Sequence, residues 1–265
     1  FGASEWRLRQ SQAIPPQELQ VPEDSLSIER GHHLATAIAK CTECHGQDLS
    51  GQMMDMGPVG ALTASNLTSG KGGVGPKQDG EWIRAIRHGV RPDGRPLIFM
   101  PSMVFANLDE ADLGALIAYV RSVPPVDHAL PPSRLGPIGR LLTVLKLERI
   151  LPATGIDHSA SIPTVTPPTM TPEYGKYLTI TGGCTYCHGD NLKGGVKEGP
   201  PGTPASADLT PAGPTASWGE ADFVAALRTG QRPDGTTINP FMPWRSTRLM
   251  TEEEIQAVWV YLRTL

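Results

Sequence analysis

The feature that most constrains this chain is a five-residue pattern that occurs once near residue 41 and again near residue 184. The two copies are Cys41-Thr42-Glu43-Cys44-His45 and Cys184-Thr185-Tyr186-Cys187-His188, and they contain all four cysteines of the chain. Two thiols at this spacing can add to the two vinyl groups on one edge of a porphyrin, and the adjacent imidazole can then bind the iron. The pattern therefore predicts two haems c, attached through thioethers, with His45 and His188 as proximal ligands.

Other uses of paired cysteines fit the sequence less well. A zinc site joins two CxxC units that are typically about 15–20 residues apart, whereas these two units lie in different halves of the chain. A thioredoxin-like site needs one CxxC beside a βαβ pattern and gives no reason for the histidine. No cysteine remains for a structural disulfide or for a thiolate ligand to haem.

The two haem motifs lie within two copies of one longer repeat. The repeat predicts two similar domains at residues 28–126 and 172–265, an N-terminal extension at 1–27 and a linker at 127–171. The matching phrases are Glu29-x-Gly31-x-x-Leu34 with Glu173-x-Gly175-x-x-Leu178, Gly46-x-Asp48-Leu49-x-Gly51 with Gly189-x-Asn191-Leu192-x-Gly194, Asn66-Leu67-Thr68 with Asp208-Leu209-Thr210, Arg91-Pro92-Asp93-Gly94 with Arg232-Pro233-Asp234-Gly235, and Phe99-Met100-Pro101 with Phe241-Met242-Pro243.

Each copy has the pattern of an all-α domain whose loops wrap a haem. Apolar spacing predicts a first helix ahead of the motif, a middle helix that stops at Gly89 or Gly230, and a last helix. Asn107 and Thr251 are the expected N-caps of the last helices. The intervening Gly- and Pro-rich stretches are expected to be loops. The expected helix ranges are 28–40, 79–88, 172–181 and 219–229.

The linker is rich in proline, since residues 124–172 hold 10 of the 26 prolines. Within it, residues 138–151 predict a short amphipathic helix that is too short to span a bilayer. Packing against a haem domain and contact with a membrane surface both remain open for this helix. His128 and His158 also lie in the linker and are expected to be solvated.

A methionine in the same position of both copies is the candidate for the sixth iron ligand. Met100 and Met242 each stand between a phenylalanine and a proline. A thioether is a neutral, soft ligand that raises the reduction potential. The competing candidates are unpaired between the copies: they are Met103, Met53, Met54 and Met56, and also His32, His33 and His88, which have Lys176, Tyr177 and Thr229 as their counterparts.

Two arginines of the shared Arg-Pro-Asp-Gly turn have two possible roles. Arg91 and Arg232 can pair with haem propionates, or they can brace the turn itself. The residues leave both roles open.

These motifs resemble tandem class I cytochromes c and, more closely, the di- and tri-haem cytochrome c subunits of bacterial membrane-bound alcohol, aldehyde and sugar dehydrogenases. The phrases that carry the resemblance are the CxxCHG starts, Trp82–Val90, Met100-Pro101 and Ala118–Ser122. The resemblance implies His45 with Met100 and His188 with Met242 as axial pairs, and a periplasmic or membrane-anchored protein. Those subunits often carry three haems, whereas this chain has two motifs.

The sequence therefore predicts an electron-transfer protein that works with redox partner proteins. Its formal charge of −4 argues against nucleic acid as a partner. A haem enzyme, such as a di-haem peroxidase or a thiosulfate-oxidising cytochrome, is the rival hypothesis. Because the chain begins at Phe1 rather than at a methionine, we expect a signal peptide or a membrane anchor ahead of it. The donor, the acceptor and the oligomeric state stay open.

Overall fold

A computed structural model describes residues 2–74, 78–145, 149–197, 199 and 202–265. The chain divides into two compact units. Unit 1 runs to His32 and continues over Cys41–Thr164, and unit 2 takes His33–Lys40 and Val165–Leu265. The residues of the predicted linker up to Thr164 thus belong to unit 1.

Helices make up most of the regular structure of unit 1. Between β1 and β2 lies a short 3-10 turn, Gly57–Val59, and a second one, Pro152–Gly155, follows the last helix. The elements in chain order are α1 Gly2–Arg9, α2 Ser25–His33, α3 Cys41–His45, β1 Gln52–Asp55, β2 Gly60–Ala64, α4 Asp79–His88, α5 Ser102–Phe105, α6 Glu110–Ser122, β3 Arg134–Leu135 and α7 Pro137–Val144.

Unit 2 repeats the helical part of this order. A π-helical turn, Leu34–Ile38, is grouped with it, and a 3-10 turn spans Pro214–Ser217. Its α-helices are α8 Pro172–Thr181, α9 Cys184–His188, α10 Glu220–Thr229, α11 Trp244–Thr247 and α12 Glu252–Leu262.

The expectation of an all-α protein is wrong for unit 1, which contains a three-stranded antiparallel sheet in the order β1-β2-β3. β1 pairs with β2 from Gln52 opposite Ala64 to Asp55 opposite Ala61. The linker supplies β3, which places Leu135 opposite Gly60. Residues 57–64, expected to be loop, are a 3-10 turn and a strand, and the strand forms because its backbone groups pair with β1 and with the distant β3.

A glycine allows the first and last helices of each copy to touch. A Cβ atom on Gly31 of α2 would lie 2.0 Å from the carbonyl oxygen of Ala115 in α6, and one on Gly175 of α8 would lie 1.9 Å from that of Ala257 in α12. Real Cβ atoms do not approach carbonyl oxygens this closely, so only glycine fits. This close approach explains why the repeat has glycine at both positions.

The expected N-cap is confirmed in one copy and wrong in the other. Thr251 accepts from the backbone N–H of Glu254, whose carboxylate accepts from Thr251 N–H, which is a capping box. In the first copy the cap is Asp109, which accepts from Asp112 N–H at 2.9 Å. Asn107 lies two residues earlier and its side-chain amide donates to the carbonyl of Met103 instead. As expected, α4 and α10 end at glycines with left-handed backbone, at φ 62° and 72°.

The linker helix packs within unit 1 and is shorter than expected. It ends at Val144, and residues 146–148 of the predicted helix lie outside the described residues. Arg140 of α7 forms an ion pair with Glu5 of α1 at 2.6 Å, while Gly139 and Thr143 are buried. Of the two linker histidines, His128 is exposed as expected, but His158 is half-buried and hydrogen-bonded. Among the described residues, no helix is long and apolar enough to cross a membrane.

The helix crossing predicts that Gly31→Ala lowers the free energy of unfolding of unit 1. The added methyl group must push α2 away from α6, and overpacking of this kind costs about 1–3 kcal/mol. Denaturant unfolding of the haem-loaded protein measures the loss. Gly80→Ala in α4 is the matched control, because a Cβ there has no neighbour within 4 Å, and alanine favours a helix. Equal stability of the two variants would contradict the packing argument.

Candidate haem-binding sites

Each CxxCH motif forms one short helix that presents its three chemical groups together. In α3, Cys41 and Cys44 are three positions apart, so both thiols project from the same side of the helix. The same arrangement recurs in α9. None of the four cysteines is joined in a disulfide, and one is exposed while three are half-buried. The two thiols of each motif are therefore available for thioether bonds.

The histidine of each motif is held by its Nδ1 atom. His45 Nδ1 lies 2.8 Å from the carbonyl oxygen of Ser65, and His188 Nδ1 lies 2.7 Å from that of Ala207. A carbonyl can only accept, so Nδ1 carries the proton and Nε2 keeps a lone pair. Histidines that bind metals are typically oriented by such a bond. Burial also lowers the pKa of both imidazoles, which favours the neutral, metal-binding form.

A side-chain turn fixes the segment that follows each of these carbonyls. Asn66 is buried, and its Oδ1 accepts from the backbone N–H of Thr68 at 2.9 Å. Its amide group donates to the carbonyl of Val126 at 2.8 Å. In the second copy, Asp208 Oδ1 accepts from Thr210 N–H at 2.8 Å. Sequence reasoning missed the Ser65 and Ala207 carbonyls, since any residue can supply one, but the repeated Asn/Asp-Leu-Thr phrase directly behind them was the available signal.

The loop after each motif folds back in the same way in both copies. Leu49 and Leu192 are buried and have left-handed backbone, at φ 58° and 59°. Non-glycine residues rarely adopt this conformation. The carbonyl of each leucine accepts from the N–H of the leucine in the next shared phrase, Leu67 or Leu209, at 2.8 and 2.9 Å. The shared strain shows that the repeat extends to backbone geometry.

The two candidate axial methionines also lie in matching backbone. The prolines that follow them, Pro101 and Pro243, have φ −78° with ψ 52° and 50°. The carbonyl of Met100 accepts from Ser102 N–H, and that of Met242 accepts from Trp244 N–H, each at 2.7 Å. Both methionine side chains are half-buried. Met103 lies inside α5, in a different local environment from Met100.

The two turn arginines differ in what they contact. Arg232 donates from one nitrogen to the hydroxyl of Thr236 and to the carbonyl of Thr237, at 3.0 and 2.9 Å. These bonds favour the turn-bracing role for Arg232. Arg91 is exposed, on a turn closed by the same backbone bond, Arg91 N–H to Arg95 O at 2.8 Å. Pairing of either arginine with a propionate stays a prediction.

Both copies match a known protein family. The cytochrome c family model matches residues 28–124 and 172–265. The fructose dehydrogenase cytochrome subunit of Gluconobacter japonicus is 28% identical over 261 residues, which cover 90% of this chain and 52% of the relative. The cytochrome c subunit of alcohol dehydrogenase (quinone) of Gluconacetobacter polyoxogenes is 27% identical over 284 residues, 93% of this chain and 58% of the relative.

A shorter match links the chain to a third dehydrogenase. The gluconate 2-dehydrogenase cytochrome c subunit of Pantoea cypripedii is 34% identical over 109 residues, 38% of this chain and 24% of the relative. The chain spans a little over half the length of the first two relatives. The two family matches together cover more than half of the chain and each contain a CxxCH motif, so this chain belongs to the cytochrome c family, whose members bind haem c covalently.

Proposed function

We propose that this chain is a di-haem c-type cytochrome that carries single electrons through two His/Met-ligated haems. The observation that supports this most directly is the matched proximal site. In both copies an imidazole next to two cysteines is tied by Nδ1 to a backbone carbonyl, at 2.8 and 2.7 Å. When bound, haem supplies an iron that alternates between ferric and ferrous states.

The residues of each copy would hold that haem from several sides. The cysteine thiols would hold each haem through thioether bonds to its vinyl groups. His45 and His188 would bind the iron through Nε2, and Met100 and Met242 would supply the second protein ligand. Because the thioether sulfur is neutral and soft, it stabilises the ferrous state and raises the potential.

The methionines also favour an electron carrier over the rival enzymes. A di-haem peroxidase needs one iron whose sixth position is open or easily vacated, and each copy here has a methionine in the same loop geometry. A thiosulfate-oxidising cytochrome needs a cysteine that ligates haem, and all four cysteines here lie in the attachment motifs. Iron with two protein ligands exchanges electrons and leaves no place for substrate.

The relatives indicate the kind of partner. They are cytochrome subunits of fructose, alcohol and gluconate dehydrogenases. We therefore propose that the electron donor is a dehydrogenase of this type and that the chain works outside the cytoplasm, in association with a membrane complex. With a formal charge of −4, made more negative by haem propionates, its association with a basic partner should slow as salt increases.

Removing the thiols of one motif should remove one haem. We expect two haems per polypeptide in the wild type, and one each in Cys41→Ala/Cys44→Ala and in Cys184→Ala/Cys187→Ala. Intact-protein mass and haem staining after denaturation measure this directly, because only covalently bound haem survives. A wild-type protein with a single covalent haem would contradict the di-haem proposal.

Removing one axial methionine should abolish the ligand-to-iron absorption band of one haem. Met100→Ala and Met242→Ala should each lose about half of the Met-to-ferric-iron band, because the copies contribute equally, and the double variant should lose all of it. Absorption spectra of the oxidised protein measure the band. Met103→Ala is the matched control, three residues from Met100, and should keep the full band. Loss of the band in Met103→Ala, with survival in Met100→Ala, would instead assign Met103 as the ligand.

A further inference from the structure

Residues 150–161 of unit 1 pack against the loop that presents Met100. The carbonyl of Ile150 accepts from the N–H of Phe99 at 3.1 Å. Phe99 has left-handed backbone, at φ 63°, which is strained for a bulky residue. Leu151 and Ala153 are buried, and the Pro152–Gly155 turn packs against α5, which begins just after the loop. This segment therefore braces a strained residue directly beside the candidate ligand.

Two histidines join this segment to α4. His88, the last residue of α4, is 1% exposed, and its Nδ1 lies 3.0 Å from Nδ1 of His158. Nε2 of His158 lies 2.9 Å from the carbonyl oxygen of Ala153. Nε2 of His88 lies 3.1 Å from Oε1 of Gln17, whose amide nitrogen donates to the carbonyl of Ala160 at 2.9 Å. The two histidines thus connect α4 to Gln17, which precedes it in the sequence, and to residues 153–160, which follow it.

The hydrogen atoms of this network can be counted. The carbonyl of Ala153 only accepts, so His158 carries its proton on Nε2. The Oε1 of Gln17 only accepts, so His88 also carries its proton on Nε2. The two Nδ1 atoms then face each other with lone pairs at a hydrogen-bond distance. One extra proton fits between them and two do not, so the docked pair binds at most one proton beyond its neutral form.

The charges around the pair work against protonation. The pKa of His88 is lowered to about 4, mainly by burial and further by the positive charges of His158, Arg87 and Arg84. Burial also lowers the pKa of His158, with Asp157 acting in the opposite direction. His88 and Gln17 line a cavity of about 170 Å³ together with Arg84. Glu81 is the acidic residue in the lining of this cavity.

The direction of the pH effect follows from these values. A solvated histidine has a pKa of about 6.5. Between about pH 6.5 and pH 4, the released pair therefore binds more protons than the docked pair. The stability that docking contributes is therefore lost as the pH falls from about 6.5 towards 4.

We propose that His88 and His158 form an acid-sensitive clasp that holds residues 150–161 in place and thereby positions the Met100 loop. This inference rests on the proposed ligation of iron by Met100. Each proton gained on release shifts the equilibrium between the docked and the released segment by up to about tenfold per pH unit. Released residues no longer offer the Ile150 carbonyl to Phe99, and the Met100 loop loses its brace.

The second copy offers an internal comparison. Thr229 stands at the position equivalent to His88, and its hydroxyl donates to the carbonyl of Ala225 within α10 at 2.8 Å. The N–H of Phe241, equivalent to Phe99, donates to the nearby side chain of Asn239 at 2.9 Å. We therefore expect the Met242 loop to stay in place over the same pH range.

The test follows the Met-to-iron band of each haem separately, in the oxidised haem-loaded protein from pH 7 to pH 4. Met242→Ala isolates the band of the first haem, and Met100→Ala isolates that of the second. The Met100 band should fall on acidification, and the Met242 band should persist. In the Met242→Ala background, His158→Asn should weaken the pH dependence, because only one histidine then gains a proton on release. His128→Asn, which removes an exposed linker histidine instead, should leave the dependence unchanged.

Hydrogen exchange at the amide of Phe99 gives a readout that does not depend on iron ligation. Its protection should fall from pH 7 to pH 4 in the wild type and less so in His158→Asn. A Met100 band and a Phe99 amide that are both insensitive to pH would overturn the clasp. An equal loss of both Met bands on acidification would overturn it as well. Absence of a Met100 band already at pH 7 would contradict the proposed ligation. In that case, hydrogen exchange at the Phe99 amide would still show whether the clasp opens on acidification.

Discussion

The hydrogen bond from the proximal imidazole to a backbone carbonyl is the constraint around which each copy is arranged. For this bond to form, the chain after the haem motif must turn back and run close beneath it. A Cβ on Gly51 would lie 2.6 Å from the carbonyl oxygen of Ala64, and one on Gly194 would lie 2.4 Å from that of Ala207. Gly51 and Gly194, the left-handed leucines and the side-chain turns at Asn66 and Asp208 all serve that one approach.

The features that sequence reasoning found depend on residue type at short spacing. Each of these features can be recognised from a few consecutive residues. Examples are the CxxCH motifs, the glycine at Gly175 and the capping box at Thr251. The cap at Asp109 was missed because Asn107 is an equally good N-cap by type, and only the course of the chain chooses between them. The pairing of β3 with β2 was missed because it joins distant segments, such as Ala61 with Arg134.

The environment of the linker histidines could not be predicted for a related reason. Composition describes residues 127–171 as a proline-rich linker, and a histidine in such a linker is usually solvated. His158 instead meets His88 because the Pro152–Gly155 turn lies against α5. The position of this turn depends on tertiary packing, which cannot be predicted from a single sequence. The repeat offered only an indirect signal, the replacement of His88 by Thr229.

The strand that the linker adds to unit 1 changes what counts as the first domain. A fragment that stopped at residue 124, where the family match ends, would keep every residue of the first copy that we propose to bind haem. It would nevertheless expose the outer edge of β2, which β3 covers, and leave the Asn66 amide without the Val126 carbonyl. The two copies are thus equivalent as sequence repeats, but the first needs additional chain to be complete as a domain. Its C-terminal boundary lies well beyond the end of the family match.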